Sequence, residues 1–127
     1  MQEKHLYEYA VIRVLPRVER EEFINVGVIV YCQSLDYLRA ECSIDEERLS
    51  TFADGSDLSE VCEHLGSVCR ISSGSEDSGP IGKMSLGERF RWLTAPRSTV
   101  VQTSSVHTGF TNDPQETLKR LLAQLVG

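Results

Sequence analysis

The chain has 127 residues, enough to bury one core and too few for two domains of ordinary size. Hydrophobic content of 40% and charged content of 25% fit a globular protein, and no apolar run approaches the ~18 residues of a membrane span. The formal net charge is −6, with residues 1–64 holding 6 Lys/Arg against 14 Asp/Glu, and so acidic a chain repels nucleic acid and anionic membranes at long range.

Met1 to His5 lacks the apolar core of a signal peptide, so a cytoplasmic protein is expected. Leu6–Leu15 then reads as a strand, with Tyr7, Tyr9, Val11, Arg13 and Leu15 on one face. Pro16 removes a donor and stops it. The crossing Arg17-Val18-Glu19-Arg20-Glu21-Glu22 carries five charges. It reads either as a solvated turn or as a charged cluster set against Arg13.

A second strand runs Phe23–Cys32, with Ile24, Val26, Val28, Val30 and Cys32 on one face. Its β-branched content marks it as central. Gly27 signals a bulge or a close backbone approach. Asn25, polar in an apolar run, caps a turn or is buried and hydrogen-bonded. After a turn at Gln33–Asp36, Tyr37–Cys42 alternates as an antiparallel strand, which completes a meander.

Ser43 and Glu46 form a capping box for a short helix through Leu49 and Phe52. A longer helix follows, with Leu58, Val61, Cys62, Leu65, Val68 and Cys69 along one face. Residues 72–82 are rich in Ser and Gly and read as a flexible loop. Leu86, Phe90 and Leu93 mark another short helix. Thr99–Thr103 is a strand and His107-Thr108-Gly109 a turn. Asp113 at N-cap, Pro114 at N1 and Glu116 at N3 open a last helix with its apolar stripe at Leu118, Leu121, Leu122, Leu125 and Val126. The expected fold is one α+β domain over 1–127, with a largely antiparallel sheet, a β-meander start and helices packed on one face.

The four cysteines lack C-x-x-C spacing and a His pair, so free thiols and no metal are expected. No phosphate-loop, dinucleotide or hydrolase motif occurs, and no cofactor or catalytic residue is assigned. The strongest chemical signal is Arg89-Phe90-Arg91-Trp92-Leu93-Thr94-Ala95-Pro96-Arg97-Ser98, with His107 downstream. Guanidinium groups bind phosphate or carboxylate in bidentate fashion. Trp92 is read first as a core anchor and second as a stacking platform. Arg97 either pairs with Glu19 or Glu22 or binds a ligand.

The segments E-Y-A-V-I-R-V-L-P-R-V-E-R-E-E-F-I-N-V-G-V-I-V-Y, G-P-I-G, E-R-F-R-W-L-T-A-P-R-S-T-V-V-Q and V-H-T-G resemble the bacterial family DUF3037, a domain of unknown function. The resemblance falls on Arg13, Arg17, Glu19, Asn25, Gly27, Arg89, Trp92, Pro96, Arg97, Ser98 and His107. It implies no activity. It does imply a partner, since such proteins look like companions of HipA-like kinases. Two readings follow. The first is a non-catalytic companion whose contact surface lies near Arg17, Glu19 and Arg97. The second is a small enzyme or ligand-binding domain that holds a phosphorylated or carboxylated substrate through Arg13, Arg97 and His107.

Overall fold

The computed structural model describes residues 3–15, 23–45, 47, 55–96 and 100–126, and of residues 55–58 the backbone alone. β1 (His5–Val14) is the strand around which the sheet is assembled. β2 (Ile24–Cys32) runs antiparallel to it from Glu8↔Tyr31 to Val14↔Ile24. β3 (Tyr37–Cys42) pairs antiparallel with β2. The meander expected from the alternation of β-branched and polar residues is therefore present. In its second turn Asp36 takes a φ of 52°, a left-handed conformation that Asp tolerates better than most side chains.

β2 is irregular at one place. Ile12 pairs with Gly27 and Arg13 with Asn25, so Val26 is an extra residue on the β2 side. Ile24 and Val26 consequently share a face with Ile29 and Tyr31, while Val28, Val30 and Cys32 turn to the other. This corrects the single row expected along β2. Gly27 sits at the bulge because nothing larger fits. A Cβ there would lie 2.7 Å from the Glu41 carbonyl oxygen and 2.8 Å from Cys42 Sγ.

The second edge of β1 is shared by two short strands. β4 (Val101–Thr103) pairs with Ile12–Val14, and β5 (His107–Thr111) with His5–Tyr9. Buried Ser104 joins them. Its N–H donates to the Val11 carbonyl at 2.8 Å and its hydroxyl accepts from the Val11 N–H at 2.9 Å, so the ladder loses no bond at the joint. The turn expected at His107–Gly109 is thus a strand. Its polar residues conceal it, and Gly109 lies under the Tyr7 ring, which fills the place of its missing side chain.

Helices cover both faces. Val61, Leu65 and Ile71 of α1 (Gly55–Ser73), with Phe90 and Leu93 of α2 (Leu86–Thr94), pack on Ile12, Val14, Ile24, Val26, Ile29 and Leu38. Leu118 and Leu121 of α3 (Pro114–Leu125) pack on Tyr7, Val28, Val30 and Cys32. The α+β class and antiparallel sheet hold. The placement of every helix on one face does not, because β2 is apolar on both sides and needs two covers. Each fully buried side chain, such as Phe90 or Leu118, contributes about 1.5–3 kcal/mol.

Caps fix the helix ends. Ser85 accepts from the Glu88 N–H at 3.3 Å, and Asp113 accepts from the Glu116 N–H at 3.3 Å with Pro114 in the first turn. Gly74, with φ 67°, closes α1, where the Ser75 N–H donates to the Arg70 carbonyl and the Gly74 N–H reaches the Ile71 carbonyl. Between α1 and α2 the chain forms two short 3-10 turns, Glu76–Ser78 and Ile81–Lys83. The capping box at Ser43–Glu46 and the short helix through Leu49 and Phe52 lie largely outside the described residues.

Candidate functional site

Arg13 and Asn25 face one another across β1 and β2, on the side covered by α3. Arg13 Nε donates to Asn25 Oδ1 at 3.3 Å, and its guanidinium lies 4.1 Å from the centre of the Phe23 ring. Asn25 Nδ2 donates in turn to the Leu125 carbonyl at 3.0 Å. That carbonyl belongs to the last turn of α3, the negative end of its dipole. Asn25 is therefore the hydrogen-bonded polar residue that the sequence offered as one of two readings.

His107 is exposed on β5, directly opposite Tyr9, and its ring packs on the Tyr9 ring at 5.3 Å. Tyr9 stacks in turn near Tyr7 at 5.9 Å. His107 and Arg13 share the α3 side of the sheet. They are separated by the four-residue step from Tyr9 to Arg13, roughly 13 Å of strand. The two do not converge on one point.

Arg89 sits in the opposite layer. It is buried on α2, and its Nη1 donates to the carbonyls of Ile71 at 3.0 Å and Ser72 at 3.2 Å. A guanidinium at the carbonyl end of α1 satisfies groups the helix itself cannot. Gly74 keeps this contact open, since a Cβ there would lie 2.6 Å from Arg89 Nη1. Arg17, Glu19, Arg97 and Ser98 lie outside the described residues. Leu15 and Val100, which border two of those segments, are joined by a bond of 2.7 Å from the Leu15 N–H to the Val100 carbonyl.

The structure brings together a second group that sequence reasoning did not assemble. On the side covered by α1 and α2, Leu6 of β1 stands opposite Phe110 of β5, and they are 53% and 68% exposed. Glu8 follows two residues along the same face, and Arg91 of α2 grips its carboxylate at 2.9 and 3.0 Å. Glu8 and Arg91 also line an open groove of about 530 Å³ with Tyr31, Met84, Glu88 and Trp92. Trp92 is 39% exposed, which corrects its reading as a core anchor. Phe90, two residues earlier on α2, is the fully buried aromatic instead. The signal available in sequence was the alternation itself: Leu6 and Phe110 are large apolar residues near strand ends, and pairing them required the register of β5.

A family profile described as Protein of unknown function (DUF3037) matches residues 9–126. The chain belongs to the DUF3037 family. No curated protein and no solved structure matched it. The DUF3037 match spans both the Arg13–Asn25–Leu125 connection and the α2 residues of the groove, while Leu6 and Glu8 precede it.

No helix among the described residues is long and apolar enough to cross a membrane, and no cluster of three or more His, Cys, Asp or Glu there could hold a metal ion.

Proposed function

We propose that this DUF3037 protein acts as a cytoplasmic, non-catalytic companion that binds a protein partner through the surface made by Leu6, Phe110, Met84 and Trp92. The observation that carries this reading is the exposure of four large apolar residues, Leu6 and Phe110 paired across β1 and β5, and Met84 and Trp92 in the groove that Glu8 borders two residues along from Leu6. Apolar patches left open to water mark interaction sites more often than single exposed residues do. Aromatic residues and Met are enriched at interface centres, and Trp is prominent among residues that dominate binding energy.

The partner is one that offers apolar side chains ringed by Lys or Arg. Glu8 and Glu88 border the groove, and residues 1–64 carry a net charge of −8. Complementary charge would steer the encounter and lose effect as salt rises. A HipA-like kinase is the partner class the family resemblance suggests.

The competing reading, an anion site on Arg13, Arg97 and His107, is less well supported. Arg13 is occupied by Asn25 and Phe23, and His107 packs on Tyr9 some distance along the strand. The test is retention of a purified HipA-like kinase from the native host on the immobilised protein at low and high salt. Retention that weakens with salt supports the proposal. No retention, together with saturable binding of a nucleotide or organic acid by calorimetry, would put the ligand-binding reading first.

A further inference from the structure

Cys42, the last residue of β3, faces Cys69 near the end of α1 with the sulfur atoms 4.0 Å apart. The helical stripe places Cys69 beside Cys62, but the fold sets it against a residue 27 positions earlier. Both residues are half-buried, and neither is sealed in the core as Cys32 is.

The surroundings hold the pair in place. Ser72 Oγ accepts from the Ala40 N–H at 3.1 Å and donates to the Cys69 carbonyl at 2.8 Å, which ties the last turn of α1 to β3 beside the two sulfurs. Gly27 leaves the space that Cys42 Sγ occupies. The hydrogen bond from Cys42 holds the Cys69 thiol down, at about 7, against its burial and the nearby Glu41, and Arg70 adds to the effect. The same contact and burial push the Cys42 thiol up, so Cys42 keeps its proton. Cys32, by contrast, is buried and donates to the Leu6 carbonyl at 3.4 Å.

We propose that Cys42 and Cys69 form a reversible dithiol–disulfide site that reacts with low-molecular-weight disulfides such as oxidised glutathione. The Cys69 thiolate attacks one sulfur of the small disulfide, whose S–S bond breaks and whose other half leaves as a thiolate and takes a proton from water. Cys42 then gives its proton to solvent and attacks Cys69 Sγ. The second half leaves as a thiolate and is protonated in turn. Two protein thiols are oxidised and one small disulfide is reduced to two thiols. The protein sulfurs close from 4.0 Å to about 2.05 Å, and the bond fastens the end of β3 to the last turns of α1.

The test treats the reduced full chain with oxidised glutathione, quenches with acid, and reads intact mass and a peptide map. The wild type is expected to become lighter by two hydrogens, with Cys42 linked to Cys69 and the link undone by dithiothreitol. Cys42→Ser should stop at a glutathione adduct on Cys69. Cys32→Ser and Cys62→Ser should still form the link, and they decide the matter together with the wild-type map where Cys42→Ser does not fold. Thiols that stay unreacted, or adducts on Cys62 with no Cys42–Cys69 link, would overturn the proposal.

Discussion

Asn25 joins Arg13 to the end of α3, accepting from the guanidinium at 3.3 Å and donating to the Leu125 carbonyl at 3.0 Å. A cation on β1 and the carbonyl end of a helix are thus bridged by one amide. Asn25→Ala removes both bonds and leaves a part-buried carbonyl to find water. The expected loss is about 1–3 kcal/mol, read from urea midpoints. Asn25→Asp should also destabilise, because a carboxylate keeps Arg13 but cannot donate to Leu125. Wild-type midpoints in both variants would show that the bridge carries no weight.

Two arginines on α2 should respond to truncation to very different degrees. Arg89→Ala strips the buried cap from the Ile71 and Ser72 carbonyls and leaves a cavity beside Gly74. We expect a loss of about 3 kcal/mol or more. Arg91→Ala breaks an ion pair whose arginine is 59% exposed, where about 0–1 kcal/mol is usual. Urea unfolding of the two variants side by side checks this, and equal losses would contradict the assignment of Arg89 as a cap.

Much of this fold was legible from local pattern. Leu6–Leu15 carries near-continuous apolar rows that mark a strand, Tyr37–Cys42 alternates as a half-buried strand should, and Asp113, Pro114 and Glu116 announced α3 to the residue. What failed was non-local. One inserted residue, Val26, reverses the facing of the rest of β2, and sequence alternation alone cannot say which side of Gly27 carries the extra residue. The stripe of α3 showed that the helix has an apolar face, but not which face of the sheet it meets. β5 was hidden because Gly109 is masked by Tyr7, a contact a hundred residues away in sequence. Among the site residues, Arg13 was set against the charged crossing and Asn25 was read on its own as a turn cap or a buried polar residue, and only the register of β1 and β2 brings the two together. Arg89 looked like an anion ligand because its real acceptors, two backbone carbonyls, leave no trace in side-chain composition.

Gly27→Ala tests the bulge. The new methyl would meet the Glu41 carbonyl oxygen at 2.7 Å and Cys42 Sγ at 2.8 Å, and the first of these is backbone that cannot swing aside. Overpacking of this kind costs about 1–3 kcal/mol. Thermal melts of Gly27→Ala against the wild type give the answer, and an unchanged melting temperature would mean that β2 and β3 are not so closely apposed.

Tyr37 should leave a mark at alkaline pH. Burial raises its hydroxyl to about 12, with Glu41 and Asp113 adding and Arg39 opposing, and the O–H donates to Gln115 Oε1 at 2.6 Å. The unfolded value is about 10. Between about pH 10 and 12 the unfolded chain releases this proton while the folded chain keeps it. The contribution is therefore complete below about pH 10 and lost as pH rises towards 12. Tyr37→Phe should flatten that part of the stability profile. Urea midpoints at about pH 9 and about pH 11 measure it, and identical losses in both proteins would refute the role of Tyr37.

The central claim, that Leu6, Phe110, Met84 and Trp92 form a protein-binding surface, is tested most directly by replacing the most exposed of them. Phe110→Asp puts a charge where an apolar contact is expected, on a side chain 68% open to solvent, so the fold should survive the change. Calorimetric titration with a purified HipA-like kinase from the native host, at low salt, is the measurement. The wild type and a His107→Ala control, altered on the other face of the same strand, should bind alike. Phe110→Asp should weaken binding by about 2 kcal/mol or more, some thirtyfold in Kd. Undiminished binding by Phe110→Asp, with circular dichroism showing it folded, would contradict the account.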